Sequence, residues 1–171
     1  VTTAGEDHVR RSVERGMDAL GDTADGATSE IVVSREFDAP PESVWLAITN
    51  ATQMRKWYFP ELPSFAPEVG FRTEFLIRKG SRDFLHQWDV TEVVPGRRIV
   101  YRWRFAGLPG DSRVTFELSA EGKATRLTVT HGGLETFIPD VYPELAREDF
   151  VEGWTRLIGS SLARFLEGSE R

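Results

Sequence analysis

Two histidines fall where they could do chemistry. His86 lies in phase with Phe84, Trp88 and Val90, and His131 in phase with Leu127 and Val129. Each therefore belongs to the apolar side of an alternating segment and is expected to point inward. An inward imidazole, with an ordinary pKa near ~6.5, can serve as a general base or can be a hydrogen-bonded core residue. His131 has the stronger placement, because Gly132-Gly133 follows it and a strand end there would meet a pocket mouth. Tyr101 shares the inward phase of its own segment and is the third residue that could move a proton. Arg35 is in phase with Ile31, Val33 and Phe37. Facing inward it could hold a carboxylate or phenolate; otherwise it stacks on a ring or sits at a sheet edge. Ser161 lies on an apolar helical face, where it either meets a pocket or bonds back to its own helix.

Other chemistries are excluded or disfavoured. The chain has no cysteine, which removes disulfides, thiolate nucleophiles and thiolate metal sites. Its three histidines, His8, His86 and His131, show no His-x-x-x-His or carboxylate–histidine spacing, so no metal site is expected. There is no Gly-x-Ser-x-Gly, no phosphate-binding loop and no dinucleotide fingerprint, and no cofactor is expected. The net charge is −6. Most of it sits in residues 1–30, which leaves the remainder close to neutral, so a nucleic-acid partner is disfavoured. Arg78, Lys79, Arg82, Arg97, Arg98, Arg102 and Arg104 are interleaved with Glu74, Asp83, Asp89 and Glu92, which predicts a mixed, solvated face. No apolar run reaches the ~18 residues of a membrane span and no signal-peptide pattern is visible, so no membrane partner and a cytoplasmic location are expected.

The elements that must position these residues follow from periodicity. Residues 1–30 form an acidic extension without aromatics, in which Val9, Val13, Met17 and Leu20 mark a thin helical stripe ahead of a flexible linker. Residues 31–168 form the main domain. A β-branched run predicts a strand over 31–38, stopped by Ala39-Pro40-Pro41. A short helix over 41–49 should bury Val44, Trp45 and Ile48, and Thr52 can cap a second one that reaches Trp57. The stretch from Phe59 to Pro67 carries three prolines and should be irregular. Five alternating segments then run from Phe71 to His131, joined by short turns such as Lys79-Gly80-Ser81 and Pro95-Gly96. They predict an antiparallel meander with one greasy and one charged face. After a linker with Pro139 and Pro143, one helix is expected over 144–167. Its apolar stripe is Phe150, Trp154, Leu157, Ile158, Ser161, Leu162 and Phe165. The order β-α-α-β-β-β-β-β-α is satisfied most economically by a twisted sheet wrapped round that helix, an α+β architecture.

Three stretches carry a family resemblance. Phe37-Asp38-Ala39-Pro40-Pro41-Glu42-Ser43-Val44-Trp45, with Trp57 a little further on, resembles the opening of the SRPBCC superfamily, the START-like helix-grip fold. The segment from Ala124 to Gly133 resembles the penultimate segment of one branch, and Gly153-Trp154 with Leu157 and Leu162 resembles its closing helix. That branch is named after the activator of the heat-shock-protein-90 ATPase. The resemblance spans residues 31–167 and implies about six strands curved around the long C-terminal helix, with a hydrophobic cavity between them. It also brings in polyketide aromatases and cyclases, lipid carriers and a co-chaperone. The separate N-terminal domain of the co-chaperone has no counterpart in residues 1–30.

These readings combine into one leading expectation: a hydrophobic or aromatic small molecule bound between sheet and helix. The expected walls are Phe71, Phe75, Phe84, His86, Trp88, Tyr101, Trp103, Phe116 and His131 on the sheet, with Trp154, Leu157, Ile158 and Ser161 on the helix. The alternatives are an aromatase- or cyclase-like enzyme using His86, His131 or Tyr101, and a co-chaperone-like interaction domain with a chaperone as protein partner. The same aromatics could instead simply fill the core.

Overall fold

A computed structural model describes residues 30–169. Residues 1–29 of the predicted extension, with its helical stripe and His8, lie outside them. Strand β1 (Ile31–Phe37) is followed by helices α1 (Pro41–Thr49) and α2 (Ala51–Trp57). Five strands come next: β2 (Arg72–Lys79), β3 (Arg82–Val94), β4 (Arg98–Phe105), β5 (Ser112–Glu121) and β6 (Ala124–Gly132). They form one six-stranded antiparallel sheet in the order β1-β6-β5-β4-β3-β2. The expected helix-grip topology is thus observed, with the first strand returning to pair with the last.

Local chemistry explains the early elements. Pro41 sits at the first position of α1, where its missing N–H costs nothing, and Glu42 complements the positive end of the helix. Val44 and Ile48 are buried as expected, whereas Trp45 is only half-buried. The cap of α2 is Asn50, not Thr52: its side chain accepts from the Gln53 N–H at 3.1 Å. Trp57 closes the helix pair by donating its indole N–H to the Ala47 carbonyl at 2.7 Å.

Most of the predicted inward phase is buried, from Phe75 and Trp88 through Ile99, Tyr101 and Trp103 to Phe116 and Val129, whereas Arg35, Phe71 and Ile77 are only half-buried. A bulge between Val90 and Glu92 breaks the β3–β4 register, and such bulges bend a sheet. The outer face is a set of cross-strand ion pairs, among them Arg104–Asp89 at 2.7 Å, Arg102–Asp111 at 2.8 Å and Arg98–Glu117 at 2.6 Å. Arg78, Arg82, Arg98, Arg102 and Arg104 are thus each paired with a carboxylate, in keeping with the expected mixed face.

The terminal helix departs from expectation in two ways. It begins later, at Arg147: a 3₁₀ turn (Pro143–Leu145) precedes it and Ala146 is extended. It is also not one regular helix. Helix α3 (Arg147–Arg156) passes into a π turn (Leu157–Ser161) and then into α4 (Leu162–Ser169). Trp154, Ile158, Leu162 and Leu166 are all buried, a strict spacing of four. On a 3.6-residue helix that spacing drifts round the axis by ~40° per step. The wider π turn takes up part of the drift and keeps the stripe facing the sheet. The same insertion leaves Ser161 and Phe165 half-buried and makes Leu166 a core residue.

Candidate functional site

The two halves of the helix treat the sheet differently. Helix α4 packs on α1 and α2, and the π turn packs on β1. Arg35 fixes that turn. Its guanidinium donates to the Gly159 carbonyl and lies over the Phe37 ring at 5.4 Å. The inward arginine is thus a helix anchor stacked on a ring. In contrast, α3 stands away from β2–β4, and the gap is a cleft of ≈ 370 Å³. Its sheet wall is Ile77, Lys79, Phe84, His86, Trp103 and Phe105, and its helix wall is Asp149, Phe150, Glu152, Gly153, Trp154, Arg156 and Leu157. Tyr58, Phe59, Glu144 and Leu145 complete the lining.

Of the expected ligand-lining residues, Phe84, His86, Trp103, Trp154 and Leu157 are brought together here. The others do not line the cleft. Phe75, Trp88, Tyr101 and Phe116 pack ring on ring in the filled part of the core, Trp88 at 4.8 Å from Phe75 and 4.7 Å from Tyr101. Phe71 is half-buried against Phe65, with ring centroids 5.8 Å apart. Ile158 and Ser161 lie in the π turn, and His131 is buried behind Trp103 and Trp154.

Gly153 lines the cleft in the middle of α3, and a Cβ placed there would meet no heavy atom within 4 Å. A glycine inside a helix costs about 1 kcal/mol relative to alanine. Here its effect on shape is to leave the helix wall open. Twelve lining residues are absent from the expected set: Tyr58, Phe59, Ile77, Phe105, Leu145, Phe150 and Gly153, and the charged Lys79, Glu144, Asp149, Glu152 and Arg156. The Trp57-Tyr58-Phe59 triplet at the end of α2 was the available signal.

His86 and His131 have opposite environments. His131 is fully buried and both its nitrogens are engaged. Trp154 donates its indole N–H to Nδ1 at 3.0 Å, and Nε2 lies 2.8 Å from the Ser112 hydroxyl. That hydroxyl donates its one proton to the Trp103 carbonyl at 2.7 Å, so Nε2 carries the proton of the second bond. The result is a chain of satisfied groups tying the helix to β4, β5 and β6. Burial lowers the His131 pKa to about 3. His131 is a neutral structural tether with no nitrogen left over for a substrate.

His86 faces the cleft. Its Nδ1 sits 3.2 Å from the Phe84 carbonyl, which can only accept, so Nδ1 holds the proton and Nε2 holds the lone pair. Nε2 makes no hydrogen bond with any described residue. The ring stacks on Phe75 at 4.9 Å and meets Phe105 edge-on at 4.8 Å. Burial lowers its pKa to about 4, with Lys79 adding to the effect and the Phe84 carbonyl opposing it. Tyr101, the third proton-moving candidate, shares a 2.7 Å hydrogen bond with Tyr58. Burial raises both phenol pKa values well above the usual range, so the pair is neutral at ordinary pH.

The mouth is rimmed by charges already in partnership. Lys79 donates to the Glu144 carbonyl at 2.9 Å and lies 3.9 Å from Asp149. Arg82 pairs with Glu144 at 3.7 Å and covers the Tyr142 ring. The β2–β3 hairpin is thereby fastened to the segment that leads into α3. Among the described residues no three His, Cys, Asp or Glu side chains are grouped as metal ligands would be. No helix among them is long and apolar enough to cross a membrane.

A curved antiparallel sheet closed round a long helix, with a cleft between them, defines a helix-grip protein of the SRPBCC superfamily. The chain belongs to the family described as Activator of Hsp90 ATPase homolog 1-like protein, whose model matches residues 38–167. It is similar to protein CV1439 of Chromobacterium violaceum, at 30% identity over 81% of this chain and 97% of that one, with a TM-score of 0.66. It is similar to DynU16, a protein of the dynemicin biosynthetic locus, at 26% identity and a TM-score of 0.63. That match covers 81% of this chain and 47% of DynU16, so the chain spans about half of that relative. Protein Mll3558 of Rhizobium loti matches at 25% identity over 80% of this chain and 95% of its own, with a TM-score of 0.63. No curated protein matches the chain.

Proposed function

We propose that this protein binds a hydrophobic or aromatic small molecule in the cleft between α3 and strands β2–β4. The observation that carries the reading is the cleft itself. A space of ≈ 370 Å³, walled by Phe59, Phe84, Trp103, Phe105, Phe150 and Trp154, lies within the range of small-molecule sites. The helix leaves that space open by placing Gly153, not a side chain, on its wall. The aromatic residues line the cleft together with His86, and Lys79, Glu144, Asp149, Glu152 and Arg156 add a charged part, so apolar burial would be joined by a limited set of polar contacts. A relative from a biosynthetic locus is compatible with a small-molecule ligand.

His86 supports the second, enzymatic reading less well. With a pKa of about 4 it is a weak base, and no carboxylate is hydrogen-bonded to it. It suits accepting a hydrogen bond better than carrying a proton. The binding reading is tested by native mass spectrometry on the full chain purified from its source, beside Gly153→Phe. The substitution fills the cleft from a position with open space around it. The expected result is a retained small molecule on the wild type and none on the variant, which should fold at least as stably. An equal load on both proteins would place the ligand elsewhere and end this reading.

A further inference from the structure

We propose that the cleft selects a neutral aromatic carrying a hydroxyl group, whose O–H is donated to the Nε2 lone pair of His86. This rests on the cleft being a ligand site, and it adds which chemistry the site recognises. A histidine on an apolar wall can present either an N–H or a lone pair, and a ligand must match the one presented. Here the choice is fixed within β3. The Phe84 carbonyl, two residues back, consumes the Nδ1 proton, and the aromatic rings of Phe75 and Phe105 hold the ring in place. The imidazole is 6% exposed. An acceptor that faces a cleft and has no donor of its own is a group that an incoming ligand can satisfy.

Two further groups in this part of the core carry a proton that no described acceptor takes up. Trp103, with its ring 5.5 Å from that of His86, keeps its indole N–H buried and without an acceptor. Tyr58 and Tyr101 bring two hydroxyl protons to a pair with one hydrogen bond between them, so one proton stays unspent. The Trp103 N–H is fully covered, so the hydroxyl is selected at His86, where its proton has an acceptor to meet. A carboxylate has no proton to give and would place its charge against the His86 lone pair. The rim offers it little compensation. Lys79 is already bonded to the Glu144 carbonyl beside Asp149, and Glu144, Asp149 and Glu152 outnumber Lys79 and Arg156. The lowered pKa of His86 keeps the lone pair present at neutral pH.

The test compares 2-naphthol, 2-methoxynaphthalene and 2-naphthoate by titration calorimetry on the full chain at neutral pH. The expected order is naphthol first, the methyl ether weaker by roughly tenfold or more because it leaves Nε2 unpaired, and the naphthoate weakest. His86→Phe keeps an aromatic ring in the stack and removes the acceptor, so it should bring naphthol down to the level of its ether. Gly153→Phe should abolish binding of all three. Equal affinity of naphthol and its ether for the wild type would overturn the hydroxyl assignment. If both were also lost in Gly153→Phe, the cleft would stand as the site. Preference for the naphthoate would overturn the assignment in favour of the rim cations. Binding that ignores Gly153→Phe, or no binding by any probe, would defeat the reading of the cleft and this inference with it. The wild-type ratio decides the question even if His86→Phe does not fold.

Discussion

Two neutral histidines inside the core should make this protein acid-sensitive well above the range where carboxylates titrate. In the unfolded chain each histidine takes up a proton near its ordinary value of 6.5. In the folded protein His86 does so only at about 4 and His131 only at about 3. The folded-state values are depressed, so between these limits the unfolded state binds more protons, and acid pulls the equilibrium towards it. Stability is full above about pH 6.5 and falls steadily as the pH drops towards 4 and then 3. Moving from about pH 7.5 to 4.5 gives the unfolded chain roughly two units of protonation free energy at each site, about 2.5 kcal/mol per histidine and ~5 kcal/mol for the pair. Against a typical total of 5–15 kcal/mol, that is a large loss. The assay is equilibrium urea unfolding at both pH values for the wild type, His86→Phe and His131→Gln. His86→Phe should retain about half of the loss, because only His131 still contributes. His131→Gln should be less stable at pH 7.5, through damage to the Trp154–His131–Ser112 chain, but flatter in its pH response. Lys79 is the charged group felt by His86, and its small effect is common to both pH values. If wild type and His86→Phe lose equal stability, or the wild type loses less than about 1 kcal/mol, His86 is not held neutral by burial, and the description of its environment fails.

Three further substitutions, and a fourth as a control, test the anchors of the helix and of the loop before it. Trp154→Phe keeps a ring in the cleft wall but leaves His131 Nδ1 without a donor, and should cost about 1–3 kcal/mol in urea unfolding. Arg35→Gln removes the charged donor to the Gly159 carbonyl and should cost about 1.5–3 kcal/mol; a neutral result would mean that the π turn stands without it. Gly133→Ala places a Cβ 2.6 Å from the Asp111 carbonyl oxygen at a φ of +86, whereas Gly122→Ala, at +63, meets nothing within 4 Å. The first should destabilise by well over 2 kcal/mol and the second by only about 1 kcal/mol, measured as a difference in thermal midpoint.

The architecture was legible because periodicity reports which face is buried. Phe84, His86, Trp88 and Val90 alternate with Leu85, Gln87, Asp89 and Thr91, and each of the four is buried on the inner face of β3. Periodicity does not report what an inward side chain then meets. His86 and His131 have the same phase in sequence. One lines a cleft and the other closes a hydrogen-bond chain, a difference set by Ser112 and Trp154, which are 19 and 23 residues away from His131 in sequence. The ring cluster shows the same limit, since Trp88 and Trp103 are inward neighbours in register, yet only Trp103 borders open space. The π turn left no local signature, because Ser161 and Leu162 both fit a helical stripe and only tertiary packing decides between them. Tyr58 and Phe59 stand where the chain leaves α2 ahead of Pro60, and their direction depends on that exit and not on any repeat.

What places the cleft at one end of the grip is a contrast between adjacent helix positions. Trp154 sends a large ring towards Trp103, Phe116 and Tyr58 and spends its N–H on His131, so the sheet and helix are tied there and the ring forms one wall of the cleft. Gly153, one residue earlier, sends nothing. Successive helix residues point about 100° apart, so the blank and the ring face different sectors of the same interior. The tether lets the helix tolerate the blank. With α4 and the π turn held by α1, α2 and Arg35, and α3 held at Trp154, the wall at Gly153 does not collapse onto β2–β4 to close the gap. A filled core and an open cleft can therefore share one helix. The boundary between them lies where His131 is bonded on both sides and His86, four strand positions from the Val90 end of the same inner face, still has a lone pair to offer.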